Sequence, residues 1–226
     1  MNEWHERLLA AAAAERNRLS RRRLLGRAAG LATGGVLAAV GLPDFGRGAR
    51  AQTATPAMGA APFANDVDVL NYALTLEHLE YTFYRDGVGK FAFGAGPFGK
   101  PIGPDLEAIR DHEGAHVETL TEVIRQLGGT PVTEGRYDFG YGDDPQTFLM
   151  TAQALENTGV RAYDGAGQYL SDPALLTAAG GIVAVEARHA SYLNLIHGAI
   201  PFPEAFEASA SPAQIMKIVT PFVVAA

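Results

Sequence analysis

Two four-residue stretches constrain this chain more than any other feature: Glu113-Gly114-Ala115-His116 and Glu186-Ala187-Arg188-His189. Steps of three and four through the first collect Leu106, Ile109, Glu113, His116, Leu120, Val123 and Leu127. Through the second they collect Leu175, Ala179, Ile182, Glu186, His189, Leu193, Ile196 and Ile200. Residues at this spacing share one face of an α-helix, and an apolar stripe of this kind is the face a helix buries. Each stripe is aliphatic except for the acid and imidazole at its centre. An unpaired carboxylate buried among aliphatic side chains costs several kcal/mol. Each of these seams therefore needs an ion pair, a proton or a metal at its middle.

The same periodicity predicts four long helices. The first covers about 65–85, with Asn65 and Asp66 as N-cap candidates and Asp86-Gly87 as its stop. One of its seams, Val69, Tyr72, Leu76, Leu79 and Phe83, is wholly apolar. The adjoining seam, Leu70, Ala73, Glu77, Glu80 and Tyr84, carries two acids. The second helix covers about 104–127, opened by Pro104 and Asp105 and closed by Gly128-Gly129. The third covers about 145–170 and has Glu156 as the one charged member of the seam Leu149, Ala152, Glu156, Gly159, Tyr163, Ala166 and Leu170. Gly159 lies one step from Glu156, where a large side chain would crowd a site. The fourth helix runs from Pro173, behind an Asp172 N-cap, to about Gly198. A short helix over 212–219, capped by Ser211, is predicted in the remainder. Residues 87–103, rich in Gly with Phe91, Phe93 and Phe98, read as a loop, with a lid or an oligomer contact as its functional alternatives. The connection over 130–144 reaches roughly 50 Å when extended. That exceeds the ~36 Å length of a 24-residue helix. Together these elements predict an all-α four-helix bundle over 65–200 with one long crossover connection. Residues 201–226 form a C-terminal extension.

Collecting the charged residues on buried seams gives Glu77 or Glu80, then Glu113 with His116, Glu156, and Glu186 with His189. One Glu from each of two helices and a Glu-x-x-His pair from each of the other two is the ligand inventory of a two-metal carboxylate site in a bundle core. Carboxylate oxygen and imidazole nitrogen suit Fe, Mn or Zn. Arg110 and Arg188 are the nearby cations, and both lie off the seams. His78, His112 and His197 have weaker claims; His112 adjoins the first motif but points about 100° away from it. Tyr84 and Tyr163 face the site, either as hydrogen-bond donors to ligands or as core.

Composition narrows the function. The chain of 226 residues has no Cys, which excludes thiolate metal sites, disulfides and Cys nucleophiles. Its formal net charge of −7 is unevenly spread. Residues 1–51 carry nine Arg against four acids, and residues 52–226 carry nine Lys/Arg against twenty-one acids. The acidic body argues against nucleic-acid binding. Ser20-Arg21-Arg22-Arg23-Leu24-Leu25, a mild apolar run from Ala28 to Leu42, and Ala49-Arg50-Ala51 read as a cleaved signal segment over 1–51. The arginine pair resembles a twin-arginine signal, with Leu24 and Gly26 departing from its usual pattern. An ordinary secretory signal and an uncleaved anchor are the alternatives. Residues 52–64 read as a flexible tail.

Over about 65–200 the sequence resembles the ferritin-like superfamily. It is most similar to exported ferritin-like domain proteins of the desiccation-related type. The resemblance rests on Leu76-Glu77-His78-Leu79-Glu80-Tyr81 with Tyr84, on Glu113-x-x-His116 followed by Leu-Gly-Gly-Thr-Pro-Val, on Glu156-Asn157-Thr158-Gly159-Val160, and on Glu186-Ala187-Arg188-His189. It implies a metal site of Glu77, Glu113, His116, Glu156, Glu186 and His189. A Tyr seven residues after the first-helix ligand favours Glu77 over Glu80, leaving Glu80 beside the ligands or at the surface. The resemblance also implies that Glu113 and Glu186 bridge two Fe or Mn ions, with Glu77 and Glu156 terminal. The expectation is an exported, periplasmic or extracellular dimetal protein acting on O2 or H2O2 in stress protection. A metal-sequestering stress protein without turnover and a purely structural bundle are the alternatives. The partners expected are metal ions, a small oxidant, the twin-arginine export machinery and, as an open question, further copies in a homo-oligomer.

Overall fold

A computed structural model describes residues 62–224. The expected signal segment over 1–51 and most of the expected tail over 52–64 lie outside the described residues. Of the tail, Phe63 packs its ring against Tyr72 and Tyr169. Four long helices follow: α1 (Asp66–Gly87), α2 (Gly103–Gln126), α3 (Pro145–Ala166) and α4 (Pro173–Ile196). A short α5 (Pro212–Val219) closes the order. The caps are built from short polar side chains that satisfy free N–H groups of the first turn. Asn65 accepts from the Asp68 N–H, Asp144 from Gln146 and Thr147, and Asp172 from Ala174. Ser211 and Gln214 form a reciprocal capping box on α5. Three boundaries differ from expectation. Helix α1 runs through Asp86-Gly87, its expected stop, with Val88 as C-cap. Helix α3 ends at Ala166, where a 3-10 turn over Gly167–Tyr169 takes over, and α4 ends two residues before Gly198. Gly198 adopts φ +72°, which stops the helix there.

The helix directions follow from which ends meet. The start of α1 lies beside the end of α2, since the site of a Gly129 Cβ is 2.6 Å from Val67. It also lies beside the α3–α4 turn, where Ser171 and Asp172 donate to Asp66. Helices α1 and α4 therefore run one way and α2 and α3 the other. Two consecutive helices with the same direction require a connection as long as the bundle, which is the crossover over 127–144. It runs along α1: Asn71 bonds Thr130 and Val132, His78 contacts the Val132 carbonyl, and Arg85 pairs with Glu134. The C-terminal extension packs on α3. A Cβ at Gly165 would lie 1.8 Å from the Ala210 carbonyl oxygen, so Gly is the residue that admits this close approach. Beyond α5 the chain bridges Tyr137 of the crossover at Val223.

The two ends of the bundle are filled differently. Where α1 ends and α3 begins, aromatic rings plug the bundle. Phe83 stacks on Phe148 at 4.5 Å, with Phe139 and Tyr141 edge-on to Phe83. The loop between α1 and α2 adds Phe91 and Phe93 to the plug. This loop is not structureless: it opens with a 3-10 turn over Val88–Lys90 and closes on an Ala95–Pro101 bridge. The opposite end is lined by aliphatic side chains that leave space between them. Among the described residues no helix is long and apolar enough to cross a membrane.

Candidate metal centre

The site sits midway along all four helices, between the aromatic plug and the aliphatic end. Helix α1 contributes Glu77, α2 contributes Glu113 and His116, α3 contributes Glu156, and α4 contributes Glu186 and His189. All six are buried; the four acids are fully inaccessible. Two groups of four emerge, in each of which the ligand atoms lie within 4.8 Å of one another. One is Glu77, Glu113, His116 and Glu186; the other is Glu113, Glu156, Glu186 and His189. Glu113 and Glu186 belong to both. All six residues singled out in the sequence are thus brought together.

The imidazoles are aimed. His116 turns Nδ1 inward, 3.2 Å from Glu77 Oε2, from Glu113 Oε2 and from Glu186 Oε1. His189 does the same, 3.0 Å from Glu113 Oε1 and 3.2 Å from Glu156 Oε2. Three of these five approaches are hydrogen bonds; those to Glu186 Oε1 and Glu113 Oε1 meet the distance but not the direction of one. Glu113 Oε1 and both Glu186 oxygens have no hydrogen-bond partner although fully buried. Buried carboxylate oxygens are ordinarily satisfied. Among the described residues no Lys or Arg pairs with these acids; Arg110 pairs with Asp111 instead. The cluster therefore has the donor set, the spacing and the unfilled lone pairs of a group that can hold metal.

Surrounding residues fix the ligands. The Tyr84 hydroxyl donates to Glu156 Oε1 at 2.7 Å, and the Tyr163 hydroxyl donates to Glu77 Oε1. His189 Nε2 lies 2.9 Å from His112 Nδ1, with the two rings nearly parallel. Outward-facing partners of this kind set the tautomer and tilt of a ligand. His112 is thus in contact with the site rather than simply at the surface. His78 serves the crossover, and His197 caps α4.

Glu80 stands apart. It is only 3% exposed, so it is not a surface acid, yet it belongs to neither group of four. It faces Gly159: a Cβ there would lie 3.0 Å from Glu80 Oε1 and 2.9 Å from Glu186 Oε2. The absent side chain of Gly159 makes room for both carboxylates. The seam pattern showed that Glu80 shares the helix face of Glu77, but not that Val219 of α5 would line the same small cavity as Glu80.

Without metal the cluster is held by protons. Burial and the Glu186 charge push Glu80 well above the usual carboxylate range, and burial and Glu113 do the same to Glu186. Burial and Glu156 push Glu113 up to about 7. Burial also works against charge on Glu77, but the His116 imidazolium and hydrogen bonds hold it below its ordinary value. Burial opposes charge on the imidazoles, and the surrounding carboxylates overcome it: His116 rises well above its ordinary value and His189 to about 10.

An up-down-down-up bundle with this core is a helical carboxylate protein with the capacity to bind metal. It belongs to the ferritin-like domain family, whose family model matches residues 65–199. No curated protein matches the chain.

Proposed function

We propose that the cluster holds two ions, Fe or Mn, and that the chain is a dimetal oxidoreductase acting on O2 or H2O2. One observation carries the reading: two four-residue groups share Glu113 and Glu186, of whose four buried oxygens three, Glu113 Oε1 and both of Glu186, have no hydrogen-bond partner. In this reading Glu77 with His116 would hold one ion and Glu156 with His189 the other, and Glu113 and Glu186 would be shared between them. Redox-active ions bound there supply the electrons for reduction of the oxidant. The chain's own residues do the rest. Tyr163 and Tyr84 hold the Glu77 and Glu156 carboxylates in place, His112 holds the His189 ring, and the aliphatic seams on either side exclude water. The six ligands offset the charge of two divalent ions with four carboxylates.

The reading includes export, which rests on the basic, apolar and small-x-small pattern of residues 1–51. Cell fractionation tests it: the protein is expected in the periplasm or medium and starting after Ala51. Consumption of H2O2 and O2 by the metal-loaded protein, beside Glu113→Ala, tests the activity. Faster consumption by the wild type is expected. Equal rates would remove the catalytic reading, and tight metal binding with no consumption would establish the sequestering role in its place.

A further inference from the structure

The aliphatic end of the bundle contains a cavity of about 320 Å³ between all four long helices. Its inner wall is buried: Val69, Leu70, Leu120, Val123, Leu170 and Ile182 are each 7% exposed or less, while its α4 wall of Ala174, Leu175, Ala178 and Ala179 is half-buried. Its floor is set by the ligands' own helices. Ala73, Leu120 and Ile182 each lie four residues from a ligand: Glu77, His116 and Glu186. Four residues are one helical turn, about 6 Å along the axis. Tyr163 also lines the cavity, and its hydroxyl donates to Glu77. The cavity reaches the surface between the end of α2, at Gln126 and Leu127, and the start of α4. The other end of the bundle is plugged by Phe83 and Phe148. A wider, more open cavity of about 430 Å³ meets the cluster from the side at His112 and His189, and the aliphatic cavity is the approach on the Tyr163 and Glu77–His116 side.

We propose that this cavity binds a neutral apolar organic molecule, delivered end-on towards Tyr163 and the Glu77–His116 side of the cluster. The lining decides the chemistry. Beyond Tyr163 and Thr119 it is aliphatic down to the mouth, so water there would lack partners. The volume decides the size. A cavity of ~150 Å³ holds benzene. Twice that suits a bicyclic aromatic or a chain of roughly eight to ten carbons, and is far more than O2 needs. The mouth decides the charge. The start of α4, where an anionic head group would sit, is already capped by Asp172. An apolar void of this size also forfeits dispersion contacts when empty. As a binding site the cavity stands on its own; as a substrate site it rests on the dimetal reading.

Naphthalene is the probe, titrated by its fluorescence into the full chain, both metal-free and loaded with Co(II). The expected result is saturable binding of one molecule per chain. Ala179→Phe, which fills the cavity from α4, weakens it at least tenfold while helicity and metal content stay unchanged. Ala178→Leu, a smaller filling, gives a smaller loss in the same direction and serves if Ala179→Phe does not fold. Bound naphthalene also shifts the visible spectrum of the Co(II) protein. Absence of saturable binding to the wild type, as when another part of the chain or a second copy fills the space, would overturn the proposal. So would equal affinity in the filled variants, or a Co(II) spectrum indifferent to saturating naphthalene. Naphthalene binding without metal uptake would instead sink the dimetal reading and leave the cavity assignment standing.

Discussion

Replacing Gly159 with Ala separates the stability of the fold from that of the metal site. Gly159 lies inside α3, where Ala is intrinsically better than Gly by roughly 1 kcal/mol. The added Cβ meets Glu186 Oε2 at 2.9 Å and Glu80 Oε1 at 3.0 Å, while ordinary contact begins at 3.4 Å. The atoms that must yield are the tips of two flexible side chains, so the helix itself is undisturbed. The metal-free variant is therefore expected to be as stable as the wild type or up to about 1 kcal/mol more stable, a rise of at most ~4 °C in Tm for a domain of this size. Metal binding responds oppositely. Glu186 must retreat by about 0.5 Å, and metal–ligand distances tolerate about 0.2 Å. At least a tenfold loss of affinity is expected, or about 1.4 kcal/mol. Thermal melts in chelator and in Mn(II), with a metal titration alongside, read both quantities. Unchanged affinity and stoichiometry would refute the placement of Glu186 as a shared ligand. A metal-free variant several kcal/mol less stable would refute the claim that only side-chain tips are displaced.

Other outcomes follow from the same geometry. Tyr163→Phe and Tyr84→Phe each remove the hydroxyl that holds the Glu77 or Glu156 carboxylate, and each is expected to weaken metal binding about 10- to 100-fold with the helices intact. Competition with a chelator measures this. Glu113 is raised to about 7 in the metal-free protein. A raised carboxyl contributes stability that is whole below its unfolded value near 4.5 and is lost as pH climbs through 7. Metal-free wild type should therefore lose ~3 kcal/mol between pH 4.5 and 7 that Glu113→Gln does not. Chemical denaturation at both pH values tests that difference, and metal affinity should rise over the same interval as binding displaces the proton. Gly165→Ala places a Cβ 1.8 Å from the Ala210 carbonyl, a backbone atom that cannot swing aside. It should release residues 200–224 from α3, read as faster proteolysis there with the four-helix core retained.

Much of this molecule was legible in the sequence because a bundle seam is periodic and its violations are conspicuous. Glu113, His116, Glu156, Glu186 and His189 could be singled out since each interrupts an aliphatic stripe. The crossover could be inferred because a long Gly- and Pro-bearing connection has little other use in a compact domain. Gly159 was legible as a small residue beside an acid. What stayed hidden depends on contacts between elements. Glu77 and Glu80 share a seam, so periodicity left both open; the inward turn of Nδ1 on His116 separates them in space. The bond from His112 to His189 joins residues 77 apart in sequence. The docking of α5 against α3 depends on Gly165, which on a helix reads only as a weak position. The cavity had no signature, because it is the space left among ordinary aliphatic side chains.

Metal content tests the central claim most directly. Elemental analysis of the protein purified from a host that exports it, wild type beside Glu113→Ala/Glu186→Ala, should give about two Fe or Mn ions per chain in the wild type. The double variant removes both shared acids and should retain neither ion while keeping its helical spectrum. Wild-type protein without metal, even after anaerobic incubation with Fe(II) or Mn(II), would contradict the account and leave a bundle whose buried acids are held by protons alone.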